Sequence, residues 1–461
     1  MQKIEHRSRV VTAVAGVEAW ERFSFYGMQA ILVYYLYRDL GMPQSDATAL
    51  VGAYGAGLYL CTFAGGWIGD RVLGPERTLL SGCAMLVVGH VALSLLPGYW
   101  GLGVGLTAIA LGSGFLKTAA ITMLGLAYPA ESGSRDAAFQ FFYLGINIGA
   151  LFGPLVTGWL SERYGFHIGF GAAAMLMVIG AAFYLSLRPR VVAALGDDAV
   201  GRPQVTAPPR TVYAVILAAA LICALAASLL SASLLATVIL VATVVAAASL
   251  FYQALTSART TASERAQVRK FIPLFVCSTA YWGLFAQTAG VFAVYSDQRL
   301  DRSIGSFIVP ASWTQSLNPL YILLFSIPIA ALLKRFSPRK HAVMGGGLTL
   351  AGAGMFILLP YVGESAPFAA LAACVLCMSL GELFIGPVGM SSTVAYAPAA
   401  FKTRFAALYF LTMAIGTSLA GAASTFYNPA DPSAERAYLL AVGLVPVAIG
   451  ITVVTASAHR R

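Results

Sequence analysis

Runs of about twenty apolar residues recur from one end of this chain to the other, and they constrain its fold more than any other feature. Each is long enough, at 1.5 Å of rise per residue, to cross a hydrocarbon core of roughly 30 Å as a helix. Read between loop signals, the runs lie near 11–37, 46–68, 78–97, 100–123, 137–160, 167–187, 211–230, 233–254, 270–294, 314–333, 342–361, 366–390, 403–425 and 437–457. The chain is 59% hydrophobic and 10% charged, whereas a soluble domain carries about 25% charged residues. A soluble fold of this size cannot hide so much apolar surface, because most of a folded surface still meets water. The expected fold class is therefore an all-α polytopic membrane protein with fourteen transmembrane helices.

The formal charge of +10 does not point to nucleic acid, because the basic residues sit in short loops with no aromatic-interleaved basic face. They read instead as topology signals beside phospholipid. Of the 29 Lys and Arg, twenty-two fall in loops on the side of the N-terminus. Five (Arg38, Arg163, Arg299, Arg302, Arg436) fall on the other side, and Arg22 and Lys117 lie within spans. That asymmetry places both termini in the cytoplasm. No cleavable signal is expected: Glu18, Glu21 and Arg22 interrupt the first apolar stretch and no small-residue cleavage site follows. Arg in excess over Lys, with abundant Ala and Gly, suggests a bacterial source, hence a multi-pass protein of the cytoplasmic (inner) membrane.

The six cysteines all lie in apolar runs. Cys374 and Cys377 form a CxxC with no His nearby, which reads as small buried residues on a membrane helix, so no metal is expected. There is no HExxH, no GxSxG and no multi-His cluster, so an enzyme is not expected.

The chain divides into two halves with a joint. Residues 188–210 are polar and rich in Pro and Arg, as a cytoplasmic linker would be. Two helices at 211–254, almost all Ala, Leu, Val and Ser, follow and carry nothing able to bind a polar solute. The expected domains are a six-helix bundle over 1–187, the linker 188–210, the inserted pair 211–254, and a second six-helix bundle over 255–461. Two halves rocking about a midplane site form a common transporter plan.

An ionisable residue at the bilayer centre costs roughly 2.5–3.5 kcal/mol on insertion scales. Glu18, Glu21, Arg22, Lys117 and Glu382 all fall inside spans. Three acids and two bases leave one negative charge, which one proton would neutralise, as a proton-coupled carrier requires. Glu18, Glu21 and Arg22 share one face of the first helix, where Glu18 is placed to pair with Arg22 one turn on, and Tyr26 continues that face. Gly145, Gly149 and Gly153 recur every four residues and are expected to let the fifth helix approach a neighbour closely. His90 is expected to be a satisfied core histidine.

Several motifs carry a resemblance. VEAWERFSFYGM (17–28) contains an ExxERF pattern, GGWIGDRVLG (65–74) an Asp-Arg loop, GFLK (114–117) a lysine motif and FYLGINIG (142–149) an FYxxINxG pattern. SLNP (316–319) and GELFIGPVG (381–389) complete the series. In this order the chain resembles the proton-dependent oligopeptide transporters, a family with the major facilitator fold, over nearly its whole length. The resemblance implies a proton-coupled symporter that imports di- or tripeptides or peptide-like solutes by alternating access. It implies proton coupling at Glu18, Glu21, Arg22 and Lys117. It implies substrate contacts at Tyr26, Gln29, Tyr59, Lys117, Asn147, Gln287, Asn318, Glu382 and Tyr409, with Asp70 and Arg71 in a gating loop. Glu382 corresponds to the carboxylate that receives a peptide amino terminus. The expected partners are a small-molecule substrate, protons and the lipid bilayer. No cofactor beyond the proton gradient is expected, and the chain is expected to act as a monomer.

Three departures from the family pattern bear on specificity. Gln29 stands where peptide transporters usually carry Arg, Ala286 stands where they usually carry a carboxylate before Gln287, and Tyr409 replaces a common Trp. Losing Arg at 29 removes a charge-assisted hydrogen bond of about 1.5–3 kcal/mol, roughly ten- to a hundredfold in affinity. These changes keep open a second expectation, a proton antiporter or related transporter of a non-peptide small molecule or drug.

Overall fold

The computed structural model describes residues 2–128, 135–196, 208, 210, 211, 231–336 and 338–458. In these the chain is almost wholly helical. The long helices are α1 (Gln2–Tyr34), α2 (Gln44–Ile68), α3 (Pro75–Leu95), α4 (Gly98–Ala127), α5 (Arg135–Tyr164) and α6 (Phe166–Leu195). They continue as α7 (Ala232–Thr256), α8 (Ala262–Phe285), the short α9 (Val291–Gln298), α10 (Leu317–Phe336), α11 (Lys340–Gly354), α12 (Phe368–Ala395), α13 (Lys402–Ser424) and α14 (Pro432–Ala458). Among the described residues eleven helices are long and apolar enough to cross a membrane. Helices α1 and α8 are not among them: α1 carries three mid-helix charges, and α8 has Arg265, Arg269 and Lys270 in its first turns. The span expected at 211–230 lies outside the described residues apart from Thr211.

Local signals account for the connections. Helix α2 ends in a wider π turn, Gly69–Leu73. Gly74 follows at φ +80°, a value only glycine adopts without strain, and Pro75 starts α3 with its fixed φ. Gly165, at φ +95°, alone joins α5 to α6. At the start of α8, Thr261 and Glu264 form a reciprocal capping box.

The Cα framework forms two compact units. The first comprises residues 1–40 and 57–230. In it α1 packs on α5 and α6, and α3 packs on α4 and α6. The α1–α5 seam is set by Gly145, Gly149 and Gly153. A Cβ on Gly149 would stand 2.4 Å from the Ala19 carbonyl oxygen, and one on Gly153 would stand 2.5 Å from that of Phe23. The four-residue glycine period is thus a backbone-to-backbone contact surface.

The second unit comprises residues 41–56 and 231–461, so the first turns of α2 belong with it. In it α11 packs on α12 and α14, and α13 packs on α7 and α8. The single span expected at 270–294 is broken. Helix α8 ends at Phe285, a 3-10 turn runs over Ala286–Thr288, and α9 restarts at Val291. A small cleft of about 10 Å³ opens at the break, lined among others by Thr48, Ala286, Gln287 and Ser424. Short parallel strands, β1 (Leu300–Asp301) and β4 (Ala366–Pro367), tie the loops at one end, and β2 (Ser303–Ile304) pairs with β3 (Phe307–Ile308) as a hairpin.

Candidate functional site

In the first unit, α1 and α4 bring four of the expected groups into one neighbourhood. Glu18 and Glu21 are fully buried and Arg22 is 3% exposed. The Glu18–Arg22 ion pair is present, but at 3.4 Å and without a hydrogen bond. The hydrogen-bonded partner of Arg22 is its neighbour Glu21, with Nε 2.5 Å from Oε2 and Nη2 2.9 Å from Oε1. Such a two-pronged guanidinium–carboxylate contact is among the stronger charge-assisted pairs.

Ser113, on α4, completes this arrangement. Its hydroxyl accepts from Arg22 Nη2 at 2.7 Å and donates to Glu21 Oε1 at 2.8 Å. Arg22 also lies over the rings of Phe25 and Tyr26, 4.9 and 5.7 Å from their centroids. The cation is therefore fully engaged, whereas both Glu18 oxygens are buried and receive no hydrogen bond among the described residues. Lys117 stands one turn beyond Ser113 on α4 and is half-buried. Ser113 is the residue that sequence reasoning missed, although its i, i+4 spacing from Lys117 within GSGFLK is a readable signal.

Other expected residues of this unit are placed differently. Asn147 is buried, and its amide donates to the Tyr143 carbonyl one turn back at 2.9 Å. Tyr26, Gln29 and Tyr59 are half-buried. Asp70 and Arg71 lie exposed on the π turn. The strong charge pair at that end belongs instead to Glu76, which is 2% exposed. It receives Arg188 Nε and Nη2, both at 3.0 Å, and the Tyr184 hydroxyl at 3.3 Å. His90 does not match its expectation. It is fully buried, and neither ring nitrogen has a hydrogen-bond partner among the described residues.

In the second unit, α8, α10 and α12 converge on Glu382. Asn318 Nδ2 donates to Glu382 Oε2 at 2.9 Å and contacts Ser379 Oγ at 3.0 Å. The Tyr281 hydroxyl lies 3.4 Å from the same Oε2 and 3.1 Å from the Met378 carbonyl. No cation pairs with Glu382 among the described residues. Aromatic rings stand alongside: Trp282 meets Tyr281 edge-on at 5.4 Å and Tyr409 at 6.5 Å. Gln287 is 3% exposed and already engaged, accepting from the Tyr438 hydroxyl at 2.8 Å and donating to the Gly283 carbonyl at 3.3 Å. Cys374, of the CxxC, is buried with its sulfur 4.0 Å from that of Met355.

Comparison with known proteins gives this geometry its context. The family model for the POT family matches residues 76–440. A di-/tripeptide transporter of Lactococcus lactis subsp. cremoris is 32% identical, over 94% of this chain and 92% of its own length. YclF, an uncharacterized transporter of Bacillus subtilis (strain 168), is 32% identical over 94% of this chain and 90% of its own. Among solved structures, a peptide transporter POT in complex with sulfate superimposes with a TM-score of 0.91 at 31% identity, covering 98% of this chain and 94% of that one. The helical architecture is accordingly of the major facilitator type, the chain is a transporter and not an enzyme, and it belongs to the POT family.

Proposed function

We propose that this chain is a proton-coupled symporter that imports di- or tripeptides, or peptide-like solutes, by alternating access. The observation that carries the reading is the setting of Glu382: a carboxylate held by the neutral donors Asn318 and Tyr281, with no cation beside it among the described residues. Neutral donors fix its position, and a substrate ammonium supplies the missing charge. A half-buried carboxylate held only by neutral donors gains a charge-assisted contact when an ammonium binds beside it.

Lys117 takes the opposite role, receiving a substrate carboxylate, while Glu18, Glu21 and Arg22 handle the coupled proton. Glu18 is the natural entry point because, among the described residues, it alone of the three has no hydrogen bond to lose. Tyr26, Gln29, Tyr59, Asn147, Gln287, Asn318 and Tyr409 complete the substrate contacts in this reading, with Asp70 and Arg71 at a gating loop. The proton gradient is the sole driving force, with no cofactor. The protein works as a monomer in the bacterial inner membrane with both termini in the cytoplasm. Its functional divisions are the bundles 1–187 and 255–461, with 188–210 as linker and 211–254 as inserted helices.

A specific feature supports one alternative. Gln29 and Ala286 together remove two charges of opposite sign from positions where relatives of this family usually carry them, which suits a less charged solute moved by proton exchange. Uptake of a labelled dipeptide into proteoliposomes, with and without an inward proton gradient, separates the two. Gradient-driven uptake that is lost in Glu21→Gln and Lys117→Ala supports the symporter. No dipeptide uptake by a folded protein that binds another solute overturns the peptide reading.

A further inference from the structure

The two ends of the second unit carry opposite charge. Segments 257–270, 334–341 and 395–404 hold ten Lys and Arg and a single acid, Glu264. Segments 295–316, 361–367 and 425–436 at the other end hold three Arg and five acids. The basic segments are drawn together. The Lys270 carbonyl lies 3.1 Å from His341 Nε2, Lys340 Nζ sits 5.7 Å from the Tyr396 ring centroid, and the Ala399 amide donates to Glu264 at 2.8 Å.

The lone acid is already committed. Glu264 receives the Ala399 amide, the Thr261 amide and the Thr261 hydroxyl, and its single charge offsets only one of the ten surrounding cations. Arg269, Lys270, Arg335 and Arg339 are exposed around the ends of α8, α10 and α11. Apolar surface adjoins them on α10: Phe336 is 65% exposed and stacks with Arg335, and Ile327, further along the helix, is 78% exposed. Cations at a helix end above an uncovered apolar flank match the two parts of an anionic phospholipid, headgroup and acyl chain.

We propose that the ends of α8, α10 and α11 form a binding site for the headgroup of an anionic phospholipid, with Arg269, Lys270, Arg335 and Arg339 contacting the phosphate and Phe336 resting on the chain. Guanidinium groups suit a phosphate because their paired N–H donors match two of its oxygens. The site is independent of what the protein transports.

The test is native mass spectrometry of the full chain in detergent, titrated separately with phosphatidylglycerol, phosphatidylcholine and inorganic phosphate. The expected result is retained phosphatidylglycerol at concentrations where phosphatidylcholine is not retained, with an affinity loss of roughly five- to thirtyfold in Arg335→Gln/Arg339→Gln. Arg335→Lys/Arg339→Lys is expected to keep most of the binding, and Arg436→Gln, at the opposite end, all of it. Equal retention of the two lipids, or an equal effect of Arg436→Gln, overturns the proposal. Retention of inorganic phosphate with no preference between the lipids also overturns it, by showing an ion site instead of a lipid site.

Discussion

The two units solve the problem of a charge in a membrane helix in opposite ways. In the first, Arg22 is saturated: Glu21 grips it with both oxygens, Ser113 bridges the pair, and Glu18 stands 3.4 Å away. In the second, Glu382 has only neutral donors among the described residues. A saturated cluster is structurally expensive to open, because removing one member strands the others in low dielectric. A carboxylate held by neutral groups leaves little behind when it is neutralised. The first arrangement therefore couples charge to fold, and the second leaves charge available to a ligand.

The largest effect that tests this contrast is on stability. Arg22→Met strips two buried carboxylates of the cation they contact and is expected to cost about 3–5 kcal/mol, seen as a collapse of the apparent unfolding temperature in detergent. The triple variant Glu18→Gln/Glu21→Gln/Arg22→Met is expected to recover much of that loss without restoring transport. If the single variant is as stable as the parent, the cluster is not what ties charge to fold.

Ser113→Ala removes two hydrogen bonds to charged groups while keeping the ion pair. A loss of roughly 1.5–3 kcal/mol is expected, again read by thermal unfolding. The second unit should behave in reverse. Glu382→Gln keeps an oxygen to accept from Asn318, so its stability cost is expected below about 1 kcal/mol. Dipeptide uptake should nevertheless fall ten- to a hundredfold with the lost charge-assisted contact. Strong destabilisation by Glu382→Gln would erase the contrast between the units.

The smallest effect lies outside both sites. The Ala399 amide, then the Thr261 amide and hydroxyl, hold the Glu264 carboxyl below the usual carboxylate range. A depressed folded-state value stabilises the protein above the unfolded carboxylate range, and that contribution is lost as pH falls through the folded value. Glu264→Gln should therefore reduce stability slightly at neutral pH and leave it unchanged at strongly acidic pH. An equal effect at both extremes would show that its role is shape alone.

Much of the fold was legible because lipid leaves few choices: an apolar run of about twenty residues crosses it as a helix, which satisfies its own backbone. The α1–α5 seam was legible for a related reason, since glycines every four residues leave room for a backbone and for little else. The break of α8 at Ala286–Gly290 was not, because an apolar run reads the same whether its helix continues or stops. Asn147 and Gln287 were named as ligand contacts on motif alone, and whether an amide faces a solute or a neighbouring carbonyl depends on the packing around it.

By itself, then, the sequence determined the number of charges admitted to the membrane, the helices that carry them and the sign of each loop, since hydropathy and charge are properties of residues. Only the tertiary structure decided that Arg22 belongs first to Glu21, that Ser113 joins α1 to α4, that Glu76 holds Arg188, and that Glu382 has Asn318 and Tyr281 beside it. Apart from the contact between the neighbours Glu21 and Arg22, these partnerships join residues 64 to 112 positions apart; they depend on distance and direction across packed helices, and a local pattern in one helix carries neither.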